Sequence, residues 1–417
     1  MIQRSLDSVK DFVDGMYIAV TYKKKSPTKS KLITLLQEYG VNVSLFEWVK
    51  DFAKARNFVM EQTPHGPNVF IYWQDADDIL RGGEHLKTIA EEMVGLGQAA
   101  SYFDYWYNVD LDADGNVREV VINHKRERII RNDHTFLWIG DLHETLIKQR
   151  QENVILVSRK ECVVVHLTNG ERLDQNIDRN IEILEEAARK ENHKDPRTLI
   201  YLAKAYFDKG KMVEEANRKI YMDLALTLFH EYLKGSGEFG GQSYREGSGW
   251  AEERSTAWSC VAEIAILSHH PEVAIQAYES AIDEAPQFPS HYIDLAMAYV
   301  YMGDYTKAKH WLNVGTNVPS PATTIITFPR DIKSRALEVS FQINFHDGKL
   351  DWALQDSLKL LEIFPDSQDI KDRIKTVSSL KAYNQACQSI VYLGKYLEQI
   401  KETEKIPALL GSLPKGM

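Results

Sequence analysis

Apolar and polar positions alternate with two different periods along the 417 residues, and the period changes near residue 175. Before that point, short apolar runs alternate with stretches in which apolar residues recur every three or four positions, which predicts strands and amphipathic helices in turn. The predicted strands lie at residues 17–20, 41–46 and 69–73, with helices at 32–39 and from 52 onward. This order predicts a mainly parallel sheet with helices on its faces, because each parallel strand needs a crossover connection to return.

A different pattern follows at residues 101–122, where two runs rich in Tyr and Val flank the polar sequence DADGN at 112–116. Asp, Asn and Gly are the residues that tight turns favour. We therefore expect an antiparallel hairpin that is appended to the sheet and forms one wall of a site.

From residue 176 the sequence is typical of helices throughout, and a pattern of small and aromatic residues recurs in it. The clearest copy consists of Tyr292, Leu295, Ala296, Ala298, Tyr299, Gly303, Tyr305, Ala308 and Trp311. This copy is close to the tetratricopeptide consensus, and weaker copies lie near residues 201 and 348. We expect stacked helix pairs that form a short solenoid, whose concave surface holds a protein segment or another domain.

Length and composition indicate a protein of two domains, which the change of period places at residues 1–175 and 176–405. The hydrophobic fraction of 44% is ordinary for a soluble globular protein, and no apolar run is long enough to cross a bilayer. The three cysteines lack metal-type spacing, which fits a reducing compartment, so we expect a cytoplasmic protein. The net charge of −10 argues against a general electrostatic attraction to nucleic acid.

A cluster of three aspartates follows the third predicted strand, in the sequence FIYWQDADDIL at residues 70–80. Open α/β sheets bind their ligands beyond the carboxyl ends of the strands, which is where Asp75, Asp77 and Asp78 would lie. Carboxylate oxygens are the ligands that Mg²⁺ and Mn²⁺ prefer. The pattern therefore predicts a site for a divalent cation and a diphosphate.

Four segments in this order resemble a family-two glycosyltransferase of GT-A fold with tetratricopeptide repeats behind the catalytic domain. They are LDSVKDFVD from residue 6, FEWVKDFAKARNF from 46, QDADDIL from 74 and FLWIGDLHETL from 136. The resemblance extends over about residues 6–180. It implies an α/β plus all-α protein, in which a Rossmann-like nucleotide-diphospho-sugar transferase domain precedes the helical solenoid.

The resemblance assigns the metal site to three residues. Asp75 and Asp77 match the DxD motif of the family, whose carboxylates hold Mn²⁺ or Mg²⁺ against the two phosphates of a nucleotide-sugar, expected here to be a UDP-sugar. His143 would complete the metal shell or contact a phosphate. Asp78 either continues the cluster or caps a helix that follows it.

The resemblance also implies a catalytic base and contacts to the nucleotide. Glu144, in the His-Glu pair of the family, would take the proton from an acceptor hydroxyl and so invert the anomeric centre, and Asp141 is an alternative base. Arg56 and Asn57 match a segment of the family that lies near the nucleotide. Arg128 and Arg131 lie in the basic stretch HKRERIIRN before the His-Glu pair, and Arg128 would add a contact, since an arginine fork suits a diphosphate. His166 lies where relatives often carry a histidine, although a core or edge position is the commoner role of such a residue.

Two departures from the family pattern leave a second interpretation open. Relatives begin with a strand ahead of the helix at residues 2–12, so the resemblance leads us to expect a domain that is incomplete at its N-terminus. The aspartate that contacts ribose in relatives, after the strand from residue 17, is also missing. The sequence thus predicts a metal-assisted glycosyltransferase with an unidentified acceptor. The alternative is a noncatalytic tetratricopeptide interaction scaffold with a degenerate glycosyltransferase domain.

Overall fold

The computed structural model describes residues 2–23, 30–112, 116–149, 156–166, 173–190, 195–234, 237–239, 242–244 and 250–399. The tip of the predicted hairpin, at 113–115, and the end of the predicted repeat domain, at 400–405, lie outside these ranges. The chain divides into two compact units. The first comprises Met1–Ser268 with Asp283–Ala285 and Pro321–Pro329, and the second comprises His269–Ile282, Pro286–Ser320 and Arg330–Met417.

The first unit contains eleven of the strands and eight of the helices within the described ranges. Its strands are β1 (Tyr17–Tyr22), β2 (Asn42–Glu47), β3 (Phe70–Tyr72), β4 (Asp78–Arg81), β5 (Ala100–Leu111), β6 (Val117–Arg131), β7 (Phe136–Ile139), β8 (Thr145–Lys148), β9 (Leu156–His166), β10 (Gly237–Phe239) and β11 (Gln242–Tyr244). Its helices are α1 (Ile2–Asp7), α2 (Ser30–Glu38), α3 (Phe52–Glu61), α4 (Leu86–Leu96), α5 (Leu173–Lys190), α6 (Pro196–Met212), α7 (Glu215–Lys234) and α8 (Ala251–Leu267). Helices predominate from α5 onward, with the short β10 and β11 between α7 and α8, whereas the two compact units divide near residue 268.

The strands form a mixed arrangement, so the prediction of a mainly parallel sheet is wrong. β1 and β2 make a parallel pair of their own, while five strands form a second sheet in the order β3-β6-β5-β9-β4. In that sheet only β5 and β9 run parallel. The reason is the hairpin of β5 and β6: two strands joined by a short connection must be antiparallel, and β6 then presents its outer edge to β3 in the antiparallel sense.

The predicted hairpin is confirmed, and it is longer than its sequence pattern indicated. β5 and β6 pair from Ala100 opposite Ile130 to Leu111 opposite Val117. Phe103 and Tyr105 of β5 are buried in the main core of this unit, together with Met93 of α4. The hairpin is therefore the centre of the sheet rather than an appendage to it.

The sheet is covered on both faces near β3. Phe70 and Tyr72 pack against the cluster that contains Val9, which follows α1, whereas Ile71 packs with the cluster that contains Met60 of α3. Side chains alternate between the two faces of a strand, so these two groups lie on opposite sides of the sheet. α3 begins at residue 52 because the Asp51 carboxylate accepts a hydrogen bond from the main-chain N–H of Lys54 at 2.8 Å.

The second unit is helical over its described residues. Its helices are α9 (Pro271–Glu284), α10 (Pro289–Tyr301), α11 (Tyr305–Asn317), α12 (Pro329–His346), α13 (Leu350–Ile363) and α14 (Gln368–Gln399). α10 and α11 join at Gly303 and α12 and α13 at Gly348, and both glycines have positive φ, near +76° and +71°. The predicted tetratricopeptide-like helical repeats are therefore confirmed as helix pairs. Among the described helices, none is both long and apolar enough to cross a membrane.

Candidate functional site

The candidate site lies where β3 ends and β4 begins. β3 ends at Tyr72 and β4 starts at Asp78, so Asp75 and Asp77 lie in the connection between them. β4 pairs with β9, and this register places Asp78 directly opposite His166. Strand pairing thus brings His166 to the aspartates, although 88 residues separate it from Asp78 in the chain.

Asp78 is fully buried and has polar partners for both of its oxygens. Its Oδ2 lies 3.1 Å from Nη1 of Arg128 and accepts a hydrogen bond from the main-chain N–H of Asp75. Its Oδ1 accepts a hydrogen bond from the Tyr105 hydroxyl at 2.9 Å and lies 3.0 Å from Nδ1 of His166. Asp78 begins a strand, so the expectation that it caps a helix is wrong. These buried contacts of Asp78 hold the start of β4 against Arg128 and Tyr105.

Arg128 is enclosed as completely as Asp78. Its guanidinium lies over the rings of Trp73 and Tyr105, with its central carbon 4.1 and 4.2 Å from the two ring centres, and it donates a hydrogen bond to the carbonyl oxygen of Trp73. No part of the side chain is exposed to solvent. Arg128 is therefore not positioned to contact a nucleotide, which the sequence analysis expected of it. Its charge instead compensates that of Asp78.

Asp77, Asp78 and His166 form a group that could hold a metal ion. Each contributes one ligand atom, and these atoms lie within 4.8 Å of one another, a spacing that no other set of three metal-binding side chains reaches within the described ranges. Burial, together with the negative charge of Asp75, raises the pKa of Asp77. Burial acts to lower the pKa of His166, but the hydrogen bond to Asp78 and the charge of Asp77 outweigh it and raise that pKa.

The donor set of this group fits Mn²⁺ better than Mg²⁺. It combines carboxylate oxygens with an imidazole nitrogen, whereas Mg²⁺ favours oxygen ligands alone. Both Asp78 oxygens already have partners, and one of those partners is Nδ1 of His166. Asp77 is therefore the residue that would hold the cation most directly, and a cation bound to Nδ1 of His166 would replace the contact between His166 and Asp78. The predicted triad of Asp75, Asp77 and His143 does not converge in this way.

Arg56 of α3 joins the two carboxylates that the sequence analysis assigned to different roles. Its Nη2 lies 3.0 Å from Asp75 Oδ1, and its Nε lies 2.5 Å from Glu144 Oε1. Its guanidinium lies over Trp73, with 4.4 Å between its central carbon and the ring centre. Burial acts to raise the pKa of Asp75, but the charges of Arg56 and Arg128 outweigh it and lower that pKa. One arginine thus holds the predicted metal ligand and the predicted base together as a compact ion-paired cluster.

His143 lies away from the aspartates because its ring stacks on Tyr201 of α6, with 4.1 Å between the ring centres. Its main chain adopts φ of +53°, and its carbonyl oxygen accepts a hydrogen bond from Arg197. Burial of the ring and the charges of Lys204 and Arg197 lower the pKa of His143. This histidine fastens the loop before β8 to α6.

Two further predicted residues have structural partners. The side-chain amide of Asn57 donates to the carbonyl oxygen of Trp138 at 2.8 Å and accepts from its N–H at 3.0 Å, which ties α3 to β7. Burial, with the charge of Asp51, raises the pKa of Asp141, as suits a proton acceptor. Asp141 therefore stays a candidate base beside Glu144.

Sequence reasoning missed two aromatic residues at this site. Trp73 has the guanidinium groups of three arginines near its ring, namely Arg56, Arg126 and Arg128. The ring of Tyr107 stacks on that of His166 at 4.6 Å, and 38% of the residue is exposed. Trp73 could have been noticed because it directly precedes the aspartate run, whereas nothing in the sequence connects residue 107 with 166.

The sequence matches no protein-family model and no curated protein. Among solved structures, the chain is similar to a thermophilic tetratricopeptide-repeat protein of Thermus thermophilus. The identity is 20%, with 49% of this chain and 91% of that chain covered and a TM-score of 0.31. A tetratricopeptide repeat protein from Parabacteroides merdae is 16% identical, with 54% and 75% covered and a TM-score of 0.35. The second such domain of human RPAP3, solved with an HSP70 peptide, is 17% identical, with 30% and 98% covered and a TM-score of 0.24. The resemblance to GT-A glycosyltransferases stays a prediction.

Proposed function

We propose that this protein is an interaction scaffold whose helical repeats bind a polypeptide. The observation that carries the proposal is the close packing of α10 against α11 in the second unit. Gly315 of α11 leaves no room for a side chain: a Cβ atom there would lie 2.9 Å from the Cβ of Tyr292 and 3.2 Å from the main-chain N of Ile293. Ala296 and Ala308 are fully buried in the same pair. Helix pairs packed through small residues are the units from which solenoids build extended binding surfaces.

The surface of the second unit carries large side chains that suit such a role. Tyr301 is 60% exposed at the end of α10, and Trp352 is 61% exposed in the first turn of α13. Aromatic side chains are enriched among the residues that contribute most to binding between proteins. These two residues are therefore the ones whose loss is expected to weaken the binding of a polypeptide.

The first unit supports a scaffold without catalysis. Asp75 and Glu144 share the charge of Arg56, and Asp78 is compensated by Arg128 inside the protein. A base that accepts a proton needs a free lone pair directed at its substrate. In this arrangement Arg56 holds Oε1 of Glu144, so only the other carboxylate oxygen is left to accept a proton.

The scaffold proposal is tested with peptides selected against the full chain from a random library displayed on phage. Each selected peptide is then titrated, by fluorescence anisotropy, into the wild type and the double variant Tyr301→Ala, Trp352→Ala. We expect Kd to rise at least tenfold in the double variant, since truncating an anchor residue costs more than about 1 kcal/mol. The matched control is Val94→Ala with Leu96→Ala, two exposed apolar residues of α4 in the first unit, which should leave Kd unchanged. Equal affinity for the wild type and the Tyr301, Trp352 variant would contradict the proposal.

A second candidate function, transfer of a sugar from a nucleotide-sugar, is favoured by the convergence of Asp77, Asp78 and His166. Under this hypothesis Asp77 and His166 would hold a divalent cation, which would supply positive charge against the two phosphates of the donor. Arg56 would contact a phosphate, and Glu144 or Asp141 would take the proton of the acceptor hydroxyl as its oxygen bonds to the anomeric carbon. The bond from that carbon to the phosphate oxygen breaks on the opposite face, and the nucleoside diphosphate leaves with inversion of the centre.

Calorimetric titration of UDP with and without Mn²⁺ tests this second candidate. We expect binding that needs Mn²⁺ and is lost in the double variant Asp77→Asn, His166→Gln. The matched control is Asp110→Asn, in which an aspartate of β5 that pairs with Arg118 is neutralised instead. UDP binding that is the same with and without Mn²⁺, and the same in the double variant, would contradict the transferase hypothesis. If UDP does not bind at all, the scaffold is the proposal that remains.

A further inference from the structure

A cavity of about 1080 Å³ lies in the first unit, and β1 and β3 line it together with Arg56 and Asp75 of the candidate functional site. We name it the strand slot, defined by Tyr17, Ala19 and Thr21 of β1 and by Phe70 and Tyr72 of β3. β1 pairs with β2 and β3 pairs with β6, and neither strand has a second strand partner within the described residues. Each of the two strands therefore presents one open edge.

The open edges turn towards the slot. The carbonyl oxygens of Met16 and Tyr22 accept hydrogen bonds from the segment that contains β2, through the N–H groups of Asn42 and Trp48. Successive residues of a strand direct their main-chain groups to opposite sides, so residues 17, 19 and 21 direct theirs away from β2.

The same reasoning applies to β3. The carbonyl oxygen of Val69 accepts from the N–H of Asn132, and the N–H of Trp73 donates to the carbonyl oxygen of Arg128. Phe70 and Tyr72 consequently direct their main-chain groups away from β6 and towards the slot. An edge with a row of unpaired donors and acceptors is a template for another strand.

Apolar side chains close the slot on both of its faces. Leu6 of α1 and Val9, just after that helix, line it on one side of the sheet, and Val59 and Met60 of α3 line it on the other. A strand that is covered on both faces carries a near-continuous run of Val, Ile or Leu. The occupant that fits is thus extended and apolar on both faces.

We propose that the strand slot binds an extended apolar segment of a separate polypeptide as a β-strand that pairs with β1 and β3 together. The occupied slot would join the two sheets into one of order β2-β1-segment-β3-β6-β5-β9-β4. A segment of about six residues matches the length of β1. Main-chain pairing supplies affinity in this mode, and the apolar faces of the slot select the sequence. This is a polypeptide site distinct from the surface proposed for the repeats.

The probe is a synthetic peptide with the core Val-Ile-Val-Thr-Val-Ile and two lysines at each end for solubility. Amide hydrogen exchange is measured on the full chain with and without the peptide. We expect exchange at the N–H groups of Ala19, Thr21, Phe70 and Tyr72 to slow at least tenfold. The N–H groups of Val20 and Ile71, which face β2 and β6, should keep their rates. A peptide methylated on alternate amide nitrogens should have no effect.

A variant pair provides an independent measurement by fluorescence anisotropy of the labelled peptide. Val59→Lys places a charge in the slot and should raise Kd at least tenfold, whereas Val94→Lys, at an exposed position of α4, should not change it. If Val59→Lys does not fold, as judged by circular dichroism, the methylated peptide decides the outcome.

Three results would overturn the proposal: slowing that lacks the alternation between neighbouring residues, equal slowing by the methylated peptide, or slow exchange at Ala19 and Tyr72 in a protein that sedimentation shows to be dimeric on its own. The last result would mean that a second copy of the chain fills the slot.

Discussion

Asp78 and Arg128 form a buried ion pair that joins the start of β4 to β6. Both side chains have zero exposure, and the carboxylate is further bonded to Tyr105 and lies against His166. A charge without a partner inside a protein is strongly destabilising, so each residue of the pair depends on the other. The neighbouring Asp77 differs only in position, yet 36% of its side chain is exposed.

Asp78→Asn is therefore expected to destabilise the protein by about 3–5 kcal/mol, because it leaves the Arg128 guanidinium buried without a counter-charge. Asp77→Asn, the matched control one residue earlier, should change the free energy of unfolding by less than about 1 kcal/mol. Urea unfolding followed by circular dichroism measures both values. Equal effects of the two substitutions would show that the buried pair has no special role.

Burial of His124 is expected to make the folded protein less stable in acid. It is 7% exposed, and burial together with the charges of Arg126 and Arg128 lowers its pKa to about 3. A histidine with a lowered pKa stays neutral in the folded protein while the unfolded chain takes up a proton below about pH 6.5. Stability therefore falls as the pH drops from about 6.5 towards 3, by about 2 kcal/mol at pH 5 for this residue.

The substitution His124→Phe removes this proton and keeps an aromatic ring beside Tyr105 and Tyr107. Between pH 7.5 and 5 the variant should lose about 2 kcal/mol less stability than the wild type, as measured by urea unfolding at each pH. His85→Gln, at an exposed histidine, should keep the pH dependence of the wild type. A parallel pH dependence of His124→Phe and the wild type would contradict the assignment.

Helices in this protein are held in place by close approach as well as by apolar burial. Asn57 fastens α3 to the main chain of β7 with two hydrogen bonds. α11 approaches α10 so closely that residue 315 must be glycine, whereas Gly394 of α14 has nothing within 4 Å of the position where a Cβ would lie. Close packing thus explains the glycine at 315, whereas the surroundings of residue 394 leave room for a side chain.

Gly315→Ala is expected to destabilise the second unit by about 1–3 kcal/mol, because the added methyl group must displace Tyr292 and Ile293. Gly394→Ala should instead stabilise α14 by up to about 1 kcal/mol, since alanine restricts the unfolded chain and favours a helix. Thermal unfolding measures whether each variant is less stable or more stable than the wild type. A loss of stability in both would mean that close packing is not the reason for Gly315.

The chain as a whole consists of two compact units, each with its own core. Phe103 and Met93 lie in the main core of the first unit, and Leu295 and Ala296 are fully buried in the second. Proteins with several such units commonly depart from two-state unfolding. Their stabilities are then separate quantities, each sensitive to substitutions in its own unit.

Hydrogen exchange in increasing urea should report these two stabilities at individual amides. Asp78→Asn should lower the urea midpoint at Phe103 and leave that at Leu295 unchanged, and Gly315→Ala should have the converse effect. The wild type provides the reference midpoints. A common shift of both amides in either variant would show that the units unfold as one.

Local signals in the sequence were sufficient for β1 to β3, the central hairpin and the helical repeats, whereas β4, β7, β8 and β9 were not among the predicted strands. The helix pair α10–α11 followed from Ala and Gly at the spacing at which two helices approach, and the hairpin β5–β6 followed from two β-rich runs around turn residues. The order of the strands did not follow, because strand pairing joins residues that lie far apart in the chain. Alternating helices and strands favoured a parallel sheet, yet β3 pairs with β6 in the antiparallel sense.

The sequence by itself determined the position of β1 to β3, of the central hairpin and of the helix pair α10–α11, and it showed which residues concentrate charge, because periodicity and turn chemistry act between near neighbours. Only the tertiary structure decided that His166 rather than His143 meets the aspartates, and that Arg56 binds Asp75 and Glu144 at once. Those contacts depend on strand register and helix docking, which join residues far apart in the chain. Burial then gave neighbouring aspartates different roles, since Asp78 is enclosed with Arg128 while Asp77 remains open to solvent.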